Sequence, residues 1–330
     1  MTPPETKVRL GVLTNPSAQH NERFPYTHRN LEKHLDSMSD AVVTASAAEC
    51  DAAVRHLLVE RGVNVLGING GDGTIHSTLA AIIDLKRIDP SIPMPTLLLL
   101  NGGTYNIASR AMRTNHNPAD TLRRFKARWA DAPLACVSTR ELALLQVTPT
   151  GSDAHGPIPG MVFGSQVIAN VLDLCDGIGG GYIGFSEFLA RGVAGYAFKT
   201  RFFNSNKWRL QHTADRIQVD GVSEHGTVGV VASTIDLKLA RGLVWAISAT
   251  DPADGFHSKT IRAMNPSDVV RLIPYLMWEF PHPMIVARPH TRTIQTSGPF
   301  TLDGELYPDM GPIDVSMGDW RFDVVAGEDI

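Results

Sequence analysis

The sequence predicts a parallel-sheet α/β domain over residues 1–132 and a mainly antiparallel β domain over residues 133–330. Two observations predict that order. In the first part, short apolar runs alternate with longer helical patterns, and strands apolar throughout belong to parallel sheets covered on both faces. After about Ala130 the runs stay short, turn residues separate them and helical patterns become rare, as in antiparallel sheets.

The elements follow in chain order. Val8–Leu13 reads as a strand that ends in the turn-prone Thr14-Asn15-Pro16-Ser17. Pro25–Met38 reads as a helix, Ala41–Thr44 as a strand, and Ala47–Arg61 as a helix closed by Gly62. Val63–Ile68 is the third strand, Thr74–Leu85 the third helix, Thr96–Leu100 the fourth strand and Ile107–Met112 a short helix. In the second domain the strand candidates are Leu142–Val147, Met161–Phe163, Arg216–Val219, Thr227–Val231, Leu243–Ser248, Met284–Val286, Thr293–Thr296, Phe300–Leu302 and Trp320–Val325. One helix, roughly Gly184–Phe198, is expected among them.

Composition narrows the function classes. With 43% hydrophobic and 19% charged residues the chain reads as an ordinary soluble globular protein. Its formal net charge of −4 gives no electrostatic case for nucleic acid as a partner. Three scattered cysteines suggest neither a disulfide framework nor a zinc site, and twelve histidines form no metal-ligand spacing. Met1–Lys7 lacks the apolar core of a signal peptide, and no apolar run approaches membrane-spanning length, so a cytoplasmic protein is expected.

Chemistry concentrates in two glycine loops. Gly70-Gly71-Asp72-Gly73-Thr74 joins the third strand to the third helix. Glycines let the backbone approach a bulky anion, and the helix start offers N–H groups and a favourable dipole to phosphate. Asp72 would stand beside that phosphate, which suggests phosphoryl transfer. Gly103 belongs to the second loop, Asn101–Asn106, in which Thr104 and Asn106 supply neutral hydrogen bonds. Both loops fall at the carboxyl edge of the sheet, where such folds bind ligands. His76, in the helix after the first loop, is a candidate substrate contact.

Asp303-Gly304-Glu305, late in the chain, reads as a hairpin turn or as a second acidic element. Two carboxylates facing a polyphosphate would need Mg2+ between them, and one of them could equally accept a proton from a substrate hydroxyl. Tyr196–Arg209 interleaves aromatic and cationic residues with no acidic one, a pattern compatible with a membrane interface or with core packing.

In this order the motifs resemble the diacylglycerol kinase catalytic-domain superfamily, which includes bacterial lipid kinases and sphingosine and ceramide kinases. The matching pieces are Asn15-Pro16-Ser17, Thr44, Gly70–Thr74, Gly103-Thr104-Tyr105-Asn106, Asp254-Gly255-Phe256 and Asp303-Gly304-Glu305. The Gly-Gly-Asp-Gly-Thr loop is shared with NAD kinases, whereas the C-terminal Asp-Gly-Glu favours the lipid-kinase side.

The resemblance implies an N-terminal domain that binds ATP, a C-terminal β-sandwich that binds a lipid, and phosphate transfer in the interdomain cleft. It makes Asp72 and Glu305 an acidic pair serving Mg2+ and the acceptor hydroxyl, with Asp303 in support. Asn15, Ser17, Thr44, Gly70, Gly71, Gly73, Thr74, Gly103, Thr104 and Asn106 would then face the nucleotide. It further implies that the final residues fold back onto the first domain. Three departures stand out: Ala18 replaces a frequent glycine, Ile107 a frequent Asp, and Ser77 a frequent Glu that bears on acceptor recognition.

The expected activity is transfer of the ATP γ-phosphate to diacylglycerol, a sphingoid base or a related lipid, with peripheral contact at the inner membrane face. An NAD kinase and a catalytically silent lipid- or nucleotide-binding regulator are the alternatives. The sequence leaves oligomeric state open, with a homodimer through edge strands compatible with it.

Overall fold

Parallel pairing organises the N-terminal part of the computed structural model. The structure describes residues 6–18, 25–35, 38, 40–103, 106–114, 117–151, 156–178, 187, 191, 199–210, 217–239, 244–248, 254–263, 265–277 and 280–330. The chain divides into two compact units, Met1–Leu142 with Trp320–Ile330, and Ala143–Asp319. The predicted fold class is borne out: a sheet with parallel strands and flanking helices in the first unit, and a separate, wholly antiparallel sheet in the second.

In the first unit β1 (Leu10–Thr14), β2 (Ala41–Val43), β3 (Val65–Asn69) and β4 (Thr96–Leu99) run parallel in the order β2-β1-β3-β4. β3 and β4 are buried at every residue, as strands with helices on both faces must be. Helices α1 (Pro25–Leu35), α2 (Ala47–Arg55), α3 (Asp72–Ile88), α4 (Ile107–Ala111) and α5 (Pro118–Trp129) connect and cover them. After α2 a π-turn, His56–Glu60, leads to Gly62 at φ +63, and Val63 N–H closes the end on Leu57 O. One core joins Val12, Val65, Leu98 and Leu100 to Leu31, Leu122 and Phe125. Val325 and Ile330, from the end of the chain, belong to that same core. Glu328 anchors the segment by pairing with Arg113 and Arg140, and both hold its carboxyl below the usual range, Arg140 foremost.

The second unit takes over within β5 (Thr139–Pro149), continues with β6 (Ile158–Gly160), β7 (Val162–Ser165) and α6 (Val167–Ile178), and reaches α7 (Arg201–Asn206). Its strands continue as β8 (Ile217–Val219), β9 (Val222–Glu224), β10 (Thr227–Ser233), β11 (Leu237–Leu239), β12 (Val244–Ile247) and β13 (Phe256–Arg262). Helix α8 (Pro266–Met277) precedes β14 (Ile285–Thr291), β15 (Thr293–Thr296), β16 (Phe300–Leu302), β17 (Glu305–Tyr307) and β18 (Ile313–Val325). The antiparallel sheet runs β14-β13-β10-β7-β16-β17. Phe163, Phe256 and Phe300 from it share a core with Ile217, Ile294 and Val315.

The expected helix Gly184–Phe198 lies almost wholly outside the described residues. Helices at α6, α7 and α8, and the strand β13, are additions to the sequence reading. Tyr196–Phe198 of the aromatic and cationic segment also lie outside the described residues. Trp208 in that segment is 61% exposed, and Arg209, stacked 5.3 Å from the ring centroid, pairs with Asp173 of α6. Among the described residues no helix is long and apolar enough to cross a membrane.

Candidate active site

The two glycine loops of the first unit pack against each other. Helix α3 begins at Asp72, two residues earlier than its apolar pattern suggests, with Gly71 as its N-cap. Glycine has no side chain to cap with, and the first intrahelical bond is Ile75 N–H to Gly71 O. The N–H groups of Gly73 and Thr74 therefore have no acceptor within the helix. A Cβ on Gly103 would fall on the Cα of Gly71 and lie 3.1 Å from its nitrogen. One on Gly102 would lie 2.7 Å from Gly70 N. Bare backbone at these positions is what permits the approach.

Asparagines fasten the loops. Asn15 Nδ2 donates to Thr74 Oγ1 at 3.0 Å, and its Oδ1 accepts from Ser17 N–H at 3.0 Å. Asn106, in the left-handed region at φ +49, accepts from Gly103 N–H at 2.8 Å through Oδ1. Left-handed backbone suits Asn better than most residues. Asn101 Nδ2 donates to Thr114 O. Thr44, 3% exposed, donates its N–H to Thr14 O at 2.8 Å.

Asp72 reaches across the loops. Its Oδ1 accepts the N–H of Ala108 in the first turn of α4 at 3.3 Å, so the carboxylate joins the two glycine loops through their helices. It remains half-buried. His76 is 9% exposed and Ser77 half-buried, in the first two turns of α3. Thr104 lies outside the described residues.

In the second unit Asp303 and Gly304 form the two-residue turn of the β16–β17 hairpin, with φ of +54 and +93. Both angles positive are the mark of a type I′ turn. The Asp303 carboxylate is 7% exposed, and one oxygen accepts the N–H groups of Met161 and Val162, each at 2.8 Å. That pins the hairpin to β7 and sets Glu305, which is exposed, at the head of β17. Burial, Asp173 and Glu305 together raise Asp176 of α6 above the usual carboxylate range. Burial, then Glu305 and Asp303, raise Tyr307. Glu305 thus lies within electrostatic reach of Asp176 and Tyr307.

The structure gathers Asn15, Ser17, Gly70, Gly71, Asp72, Thr74, Gly103 and Asn106 around one pair of loops in the first unit, and Asp303 with Glu305 in the second. Asn69 under the loops, and Asp176 beside Glu305, were not singled out from the sequence. For Asn69 a signal existed in its adjacency to Gly70; Asp176 rides on a helix that was not foreseen.

Residues 9–135 match the family model of the diacylglycerol kinase catalytic domain. The resemblance read from the motifs is borne out over that segment, and a kinase family implies ATP as phosphate donor. Two solved structures named "putative diacylglycerol kinase", from Bacillus anthracis str. Sterne, align at 15% identity over 96% of either chain with a TM-score of 0.58. A third, named a diacylglycerol kinase from the same organism, gives 0.56 at the same identity and coverage. At that identity the likeness shows a shared fold along nearly the whole chain. A search of curated proteins gives no match.

Proposed function

We propose that this chain is an ATP- and Mg2+-dependent lipid kinase that transfers the γ-phosphate to a hydroxyl of diacylglycerol, a sphingoid base or a related lipid. The observation that carries the reading is the pair of touching glycine loops at the carboxyl ends of β3 and β4, with Asp72 tied to both. Backbone N–H groups at the start of α3 bind phosphate oxygens without the bulk of side chains. Asn106 and Asn15 hold the loops in that shape before the nucleotide arrives.

The donor set fits Mg2+ delivered with the nucleotide. Among the described residues no group of three or more His, Cys, Asp or Glu is placed to cage an ion. A Mg2+ bound by phosphates, water and one or two carboxylates needs no such group, and Asp72 supplies a carboxylate. When bound, the ion would neutralise charge on the transferring phosphoryl group. Glu305, exposed at the head of β17, would hold the acceptor hydroxyl and take its proton, while Asp303 positions Glu305 through the hairpin. Lipid acceptors require reversible contact with a membrane surface, which the exposed Trp208 is suited to make.

Asp72→Asn and Glu305→Gln test the assignment. Both variants should keep the fold, since Asn retains an acceptor for Ala108 N–H and Glu305 is exposed. Each should lose about 10²–10⁴-fold in transfer of labelled γ-phosphate to lipid. Full activity in the Asp72 variant would refute the proposal.

A further inference from the structure

Beneath the glycine loops lies a polar side chain that the protein alone leaves unanswered. Asn69, the last residue of β3, has 0% exposed surface, and among the described residues neither Oδ1 nor Nδ2 has a hydrogen-bond partner. Its register partner on β1 is Thr14, 2% exposed, whose Oγ1 is also unpartnered. Paired residues on adjacent strands present their side chains to the same face, so the two form one polar patch. Buried polar groups in folded proteins are nearly always bonded, and an exception calls for a reason.

The neighbours supply one. A Cβ on Gly102 would lie 2.5 Å from Asn69 Oδ1 and 2.7 Å from Gly70 N, so the Asn69 amide oxygen abuts the second glycine loop where it meets the first, whose Gly70 follows Asn69 directly in the chain. Two other asparagines of the site contrast with it: Asn15 and Asn106 each hold a loop by hydrogen bonds already made. A purely structural asparagine at position 69 would be bonded in the same way.

We propose that Asn69 is a positioning residue whose hydrogen bonds form when phosphate binds. Oδ1 accepts a loop N–H and Nδ2 donates to a loop carbonyl as the segments at Gly70 and Gly102 close on the anion. The energy of those bonds is then expressed as affinity and not as stability of the free protein. This rests on the reading of the loops as a nucleotide phosphate site.

The test is calorimetric titration of the full chain with Mg·ATP and with tripolyphosphate, alongside thermal melting, for wild type, Asn69→Ala and Asn69→Ser. The expected result is a free-protein melting temperature that is unchanged or raised in Asn69→Ala, with affinity for both ligands weaker by about tenfold. The serine variant, which keeps one small polar group, should fall between, and it decides the matter if the alanine variant does not fold. KM for ATP should rise while KM for the lipid acceptor stays constant. Unchanged affinity, with melting temperature lowered equally in free and ligand-saturated protein, would make Asn69 merely structural and overturn the proposal. Failure of the wild type to bind either ligand would instead refute the nucleotide reading, and this inference with it.

Discussion

Replacing Gly102 by alanine asks how closely the two glycine loops depend on each other. The backbone at Gly102 lies outside the left-handed region, so alanine meets no torsional barrier and only space opposes it. The new methyl carbon would stand 2.5 Å from Asn69 Oδ1 and 2.7 Å from Gly70 N, where ordinary contact begins at 3.4 Å. The Asn69 amide can rotate, but Gly70 N belongs to the backbone of the first loop. The loops must therefore part by roughly 0.7 Å, an overpacking that costs about 1–3 kcal/mol. A displacement approaching 1 Å at a reacting centre costs about 10²-fold in rate, so kcat/KM should fall about 10–100-fold with a raised KM for ATP. The melting temperature should drop by about 2–4 °C for each kcal/mol lost. Gly156→Ala is the control, because among the described residues its Cβ would have nothing within 4 Å. Steady-state kinetics at varied ATP and a thermal melt read both quantities. A Gly102→Ala enzyme with wild-type KM and melting temperature would show that the loops do not act as one cradle.

Other outcomes follow from the same geometry. Both N–H groups on Asp303 converge on one oxygen, so Asp303→Asn should lose little, whereas Asp303→Ala should lose about 3 kcal/mol by urea denaturation. Equal losses would refute the pinning role. Cys175 is buried, its thiol pushed up to about 12, and Cys50 is buried and raised as well, so only exposed Cys136 should alkylate in the native protein under mass-spectrometric readout. Glu328 carries a lowered pKa, so its contribution to stability is present above the ordinary value of 4.5 and is lost as pH falls through its folded value. Glu328→Gln should flatten that part of the acid limb in pH-dependent melts, and an unchanged limb would show that the arginine clamp contributes nothing.

The parallel sheet was legible because β3 and β4 are continuous apolar runs, each ending in a glycine loop. What escaped had physical reasons. Helices α5 and α8 both begin with Asn-Pro-x-Asp, and in each the Asn accepts from the Asp N–H, at 2.9 Å in one and 3.2 Å in the other. That is a readable start signal. In α8 the internal Pro274 masks it, since proline argues against helix interiors. Strand β13 reads Phe-His-Ser-Lys-Thr-Ile-Arg, polar enough to pass for a loop, yet His257 and Lys259 are at most 9% exposed within the sheet. At the site, the motifs named Asp72 and Glu305. The backbone contact between Gly71 and Gly103, and the buried amide of Asn69, depend on how two distant loops meet, and no local pattern encodes that.

The most direct test is transfer of phosphate from γ-labelled ATP with Mg2+ to a panel of diacylglycerol, sphingoid base and ceramide in mixed micelles, with NAD as a competing acceptor. The account predicts a labelled lipid that is absent with Asp72→Asn. Labelled NADP, or no transfer to any acceptor by a protein that binds ATP, would contradict it.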